Sequence, residues 1–227
     1  DVDEKCDEVS KNVPDLPCKN KCFECCKQLF PISFVEAFYI SEGLKKSDRE
    51  TRRRMQRTAE KIADKISAQN PAQFEKRKIS RKEALNTHAE FARFLQKNVN
   101  NCPALNSKKS EAPCELYPFR NLDCRATGFS FDSSSNEIVA CERFKSLTHL
   151  IPHLLPFNYK YTEKMLLDRA LLSELTNSAF TPNILYLTTM CGPILKDYAA
   201  TDWVNFFTEK NIPAKSEPDE YRVVIDV

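Results

Sequence analysis

Eight of the ten cysteines in this 227-residue chain fall into two groups: Cys18-x3-Cys22-x2-Cys25-Cys26, and Cys102, Cys114, Cys124 and Cys141. Spacings of two and three residues let one turn of chain aim several thiolates at a point. The distant group closes the site once the intervening helices fold back. Neighbouring side chains diverge, so Cys25 and Cys26 suit two different metals, or two irons of one cluster, better than one small ion. Eight thiolates serve two four-ligand sites, or one cluster with spare cysteines. Spacing also leaves open a framework of five disulfides in a secreted binding module. Against that, vicinal cysteines rarely bridge each other, and a chain of this length buries a core without staples. Cys6 and Cys191 lie outside the groups. Cys6 reads as a bystander or bridge partner, and Cys191, before Gly192-Pro193, as a packed helix-end residue.

Other chemistries find little support. Three glycines in the whole chain exclude glycine-rich phosphate loops, which use two or three close together. G-x-S-x-G and H-E-x-x-H are both absent. Of three histidines, His88 shares a helical stripe with Leu85 and Leu95 and reads as packed. His149 and His153 have the spacing of a helical metal pair, but Pro152 between them would kink the helix. Thirty-four basic and thirty-two acidic residues leave a net charge of +2, with no global field toward nucleic acid. The basic stretches Arg52 to Arg54 and Lys76 to Lys78 are interleaved with Glu50, Glu60, Asp64 and Glu75, and read as solvated faces. No apolar run approaches the roughly 18 residues of a membrane span, and the acidic start lacks the pattern of a secretory leader. The reading is a soluble, cytoplasmic protein, with secretion or a removed leader left open because the sequence does not begin with Met.

Capping boxes are expected at Ser33-x-x-Glu36, Ser47-x-x-Glu50 and Ser80-x-x-Glu83. After Ser47, Met55, Ala59, Ile62 and Ile66 form one stripe on a helix running to about Gln69. After Ser80, Leu85, Ala89, Ala92 and Leu95 do the same, widened by Phe91 and Phe94. From Asn101 to about Arg143 the chain reads as loop, with a short hairpin between Gly128–Asp132 and Asn136–Ala140. Helix signals return with Thr162 as N-cap before Leu167, Ala170, Leu171 and Leu175, and again from about Thr201 through Trp203 and Phe207. Tyr221 to Val227 reads as extended, and Pro213 to Asp219 as a linker.

Four local features resemble the YkgJ-type cysteine-cluster family, a zinc- or iron-chelating domain. They are Cys18 to Cys26 followed by Ile32-Ser33-x-x-Glu36-Ala37, then Cys102-Pro103-Ala104-Leu105, then Cys114-Glu-Leu-Tyr117-Pro-Phe-Arg120-x-x-x-Cys124-Arg125, and the late Cys141. Together they cover residues 16 to 143. The first spacing is three residues where the family has two, and Asn121 stands where the family usually has proline. The resemblance implies a metal centre held by Cys18, Cys22, Cys25, Cys26, Cys102, Cys114, Cys124 and Cys141. Because a related domain in flagellin lysine methylases carries an iron–sulfur cluster, [4Fe–4S] is preferred to zinc.

A four-thiolate centre keeps a net charge of about −2 that must be offset. Arg120 and Arg125 are read as donors to sulfur or to a neighbouring carboxylate, and Tyr117 as a core aromatic. The expected architecture is mainly α, with an irregular cysteine-rich metal-binding core over 1–145, a helical insertion at about 47–99, and a helical extension over 146–227. The expected role is structural, redox or group transfer, with a protein partner open.

Overall fold

In the computed structural model the described residues are 2–13, 16, 23–99, 101–109, 114–132, 137–139, 147–156, 161–177, 183–212 and 220–227. The chain is mainly α. Its helices are α1 (Val2–Asn12), α2 (Phe34–Lys46), α3 (Arg49–Ser67), α4 (Arg81–Asn98), α5 (Leu122–Ala126), α6 (Tyr161–Leu175), α7 (Cys191–Leu195) and α8 (Trp203–Glu209). The capping boxes at Ser33 and Ser80 both form, each with its Glu side chain on the N-cap amide. The one expected at Ser47 does not. Ser47 closes α2, and Asp48 caps α3 by accepting from the Thr51 amide at 2.9 Å. Aspartate is as good a cap as serine, and using Asp48 leaves Ser47 free to end the preceding helix one residue earlier.

The α3 stripe forms as expected, with Met55, Ala59 and Ile66 buried. On α4 the buried face is Ala84, Thr87, Phe91 and Leu95, while Leu85 is 41% exposed. The aromatic pair sets that rotation, because Phe91 and Phe94 both pack on the Phe74 ring, with centroids at 5.5 and 5.2 Å. On α6 the helix opens at Tyr161, so Thr162 lies inside it. Leu172 is buried while Leu166 and Leu167 are exposed.

Two small sheets complete the fold. β1 (Lys76–Ile79) pairs antiparallel with β6 (Tyr221–Asp226), which runs parallel to β5 (Asn183–Thr188). The second sheet is the expected hairpin, β2 (Ser130–Asp132) and β3 (Glu137–Val139), with β4 (Leu155–Pro156) parallel to β2. The C-terminal third is therefore not purely helical, and its strand β6 reaches across to β1 from the first half of the chain. One large core runs through both halves. At its centre Phe34 meets the fully buried Trp203 edge to face, with ring centroids 4.7 Å apart. A satellite cluster of Val9, Val13, Leu16, Ile138, Leu150, Ile151 and Leu154 joins α1 to the hairpin sheet. The Pro213 to Asp219 stretch lies outside the described residues.

Candidate metal centre

Local hydrogen bonding draws the cysteine-bearing segments together. Cys25 and Cys26 sit in a single 3-10 turn, Glu24–Lys27. The Cys102 amide donates to the Cys26 carbonyl at 2.9 Å, which joins the two sequence groups directly. Leu105 and Cys114 form an antiparallel bridge, and the Glu115 amide donates to the Ala104 carbonyl at 2.9 Å. The Glu115 carboxylate accepts from Asn106 and Lys109, each at 2.8 Å, and lies 3.4 Å from an Arg54 nitrogen. Arg54, expected on a solvated face, thus ties α3 to this loop, and it also donates to the Leu105 carbonyl at 3.1 Å.

Cys124 is placed by α5. Asn121 caps that helix by accepting from the Cys124 amide at 3.2 Å, and its own amide donates to the Pro31 carbonyl at 3.4 Å. An asparagine here therefore does what a proline could not, since it bonds both ways. Glu36 extends the arrangement. One carboxylate oxygen closes the α2 capping box, and the other accepts from the Leu122 amide at 2.7 Å, fixing α5 to α2. Lys164 of α6 sits 3.4 Å from the same carboxylate and balances its charge.

The result is a cavity of about 70 Å³ whose lining includes Cys25, Cys26, Cys102, Cys114 and Cys124, with Tyr117, Arg120, Asn121 and Met190 among the other walls. That is room for roughly five water-sized spheres. Among the described residues its lining holds no carboxylate or imidazole. A donor set dominated by cysteine sulfur favours thiophilic metals, zinc or iron–sulfur clusters, over magnesium or calcium. The chemistry of these side chains, though not their spacing, suits the kind of group the cysteine pattern anticipates. Among the described residues, no group of three or more His, Cys, Asp or Glu side chains is drawn close enough to hold an ion as it stands. Cys18, Cys22 and Cys141 lie outside the described residues. The seven described cysteines are all free thiols.

Electrostatics show how strongly these sulfurs interact. A hydrogen bond from Cys26 lowers Cys25 to about 7, with Arg120 also favouring its thiolate, while the same bond and burial push Cys26 up. Negative charge on the pair is therefore favoured on Cys25 and disfavoured on Cys26. Burial raises Cys102, Cys114 and Cys124, and repulsion from neighbouring sulfurs adds to each. Several thiolates in one apolar wall repel one another unless a cation joins them, which is the condition metal binding relieves.

Cys191 joins this neighbourhood unannounced by spacing. It is fully buried and near enough to Cys102 to push that thiol up. The two-way bridge between Ile32 and Thr188 brings it there, along with Met190. Cys6 lies away from the cavity, where its thiol donates to the Arg125 carbonyl at 3.4 Å and burial raises it to about 11. Burial drops His88 to about 3, with the Lys164 charge lowering it further and Glu36 opposing. His149 and His153 are exposed in the 3-10 helix Thr148–His153, which accommodates Pro152. Tyr117 is not in the core. It is 51% exposed and forms a platform under the Arg120 guanidinium, 3.6 Å above its ring. Compared with protein-family models, curated proteins and solved structures, the chain matches none.

Proposed function

We propose that this chain is a cysteine-ligated metal-binding protein, with an iron–sulfur cluster preferred to zinc, akin to the YkgJ-type cysteine-cluster proteins. The observation that carries the reading is that five cysteines, separated by up to a hundred positions in the chain, line one small cavity whose described lining has neither a carboxylate nor an imidazole. Cys25, Cys26, Cys102, Cys114 and Cys124 are the described donors, and Cys18, Cys22 and Cys141 complete the set of eight. When bound, such a centre supplies positive charge to thiolates that otherwise repel. Arg120 contributes a further cation to Cys25 and Cys114. The free state of the seven described thiols supports this reading over a five-bridge secreted module, and suits a reducing, cytoplasmic compartment. Among the described residues no helix is long and apolar enough to cross a membrane.

Iron–sulfur is preferred because the donor set is all thiolate and because the family resemblance extends to a cluster-bearing relative. A structural or redox role needs only the closed site. Group transfer needs a substrate space, and the open groove that shares Arg120 with the cavity supports that third role. The test is anaerobic purification with a visible spectrum and elemental analysis. A broad visible band with iron and acid-labile sulfide is expected, whereas colourless protein with stoichiometric zinc replaces the cluster by zinc on the same ligands. Cys25→Ser and Cys124→Ser should each lower metal content and melting temperature together, because metal affinity here is partly folding free energy. Unchanged values in both variants remove these residues from the centre.

A further inference from the structure

Beside the cysteine cavity lies an open groove of about 720 Å³ between α1, α2, α5 and α6, within the size range of small-ligand sites. Two guanidinium groups are held rigidly in its wall. Arg125 donates from Nε to the Arg120 carbonyl at 2.9 Å and from Nη2 to the Pro118 carbonyl at 2.7 Å. Arg120 donates from Nε to the Tyr117 carbonyl at 3.1 Å while stacking on the Tyr117 ring. These contacts fix both planes and leave the remaining N–H groups for one carboxylate. That carboxylate is Asp3 of α1, ion-paired with Arg125 Nη1 and 3.6 Å from Arg120 Nη2.

The two sides of this contact differ in kind. The arginine side chains are 19% and 14% exposed, while Asp3 is 56% exposed. An ion pair with so exposed a partner holds little. Nor is it needed to hold α1, since Val9 within it and Val13 just after it are anchored in the satellite cluster. The arginines are preorganised and the carboxylate is replaceable.

We propose that Arg120 and Arg125 form the carboxylate-recognising end of a ligand site for a small organic acid with an apolar body, and that Asp3 holds the place of the ligand's carboxylate. With Asp3 displaced, the lining keeps Arg120, Arg125 and Lys164 against Glu36 and Glu163, a surplus of one positive charge. Val35, Tyr39, Leu122 and Leu167 offer the apolar surface, with Tyr39 and Leu167 about half exposed. Fork-shaped guanidinium groups match a planar carboxylate, which is the group Asp3 already sets against them. The site adjoins the proposed metal centre but rests on the arginine geometry, not on the metal.

The test is calorimetric titration of the full chain with 4-phenylbutyrate, with and without bound metal. Asp3→Asn, an exposed change, should tighten binding about fivefold by removing the internal competitor. Arg125→Gln should abolish binding in protein whose circular dichroism is unchanged, and 4-phenylbutanamide should not bind. Equal binding of the amide, an affinity untouched by Asp3→Asn, or no binding to either protein overturns the proposal. Tighter binding of N-acetyl-Val-Asp-amide than of 4-phenylbutyrate overturns the choice of a small acid in favour of a peptide. A chain that binds no metal yet binds 4-phenylbutyrate leaves this site standing while the metal reading fails.

Discussion

Individual side chains in the α2–α4–α6 contact carry opposing responses to pH. Asp168 accepts from the Val35 amide at 2.7 Å, and burial lifts its carboxyl to about 7 from an ordinary 3.8. The folded chain therefore keeps a proton that the unfolded chain releases. The stabilisation is full below about pH 4 and is lost as pH climbs through 7. His88, dropped to about 3 from 6.5, behaves in reverse: its neutral form favours the fold above pH 6.5, and that advantage drains away in acid. Asp168→Asn keeps an acceptor for Val35 but removes the first slope, so its melting temperature should gain on the parent's at pH 8 relative to pH 5. His88→Gln should gain at pH 5 relative to pH 8. Calorimetry at the two pH values checks both, and curves parallel to the parent's would falsify the assignment.

Between elements, α2 and the 3-10 turn Tyr117–Phe119 approach closely enough that Gly43 is required. A Cβ there would stand 2.3 Å from Cγ of Phe119 and 2.8 Å from its Cβ, near the rigid root of the side chain. Gly43→Ala should cost about 1–3 kcal/mol by overpacking. Combining it with Phe119→Leu should recover part of that cost, which a double-mutant cycle in urea reads directly. Nothing in the sequence around Gly43 announces this contact, because its partner lies more than seventy positions away. What could be read was local. The boxes at Ser33 and Ser80 depend on residues three apart, and the β2–β3 hairpin on neighbours. The run Ile184-Leu185-Tyr186-Leu187 has no alternation, so β5 shows no strand period, and its parallel partner is distant. The same distance hid Cys191, which reaches Cys102 only through the Ile32–Thr188 bridge. The grouping of Cys25 and Cys26 with Cys102, Cys114 and Cys124 was legible from spacing, whereas the clamp of Arg125 on Asp3 was not.

At the scale of the whole molecule, the main core and the satellite cluster differ in size and so in how readily each opens. Among the described residues, the satellite gathers seven buried apolar side chains around α1 and the hairpin sheet, against thirty in the main core. Hydrogen exchange should therefore release the amides of α1 and of β2 and β3 well before those of β5, β6 and α3. Simultaneous exchange of all these segments would instead make the protein one cooperative unit. The order of strands in the main sheet has a bearing on biogenesis. Its central strand, β6, follows both of its neighbours in the chain, so a ribosome completes β1 and β5 before the strand that joins them exists. The growing polypeptide carries two strand edges facing an empty place until Tyr221–Asp226 emerges, the kind of exposed pairing surface that chaperones shield.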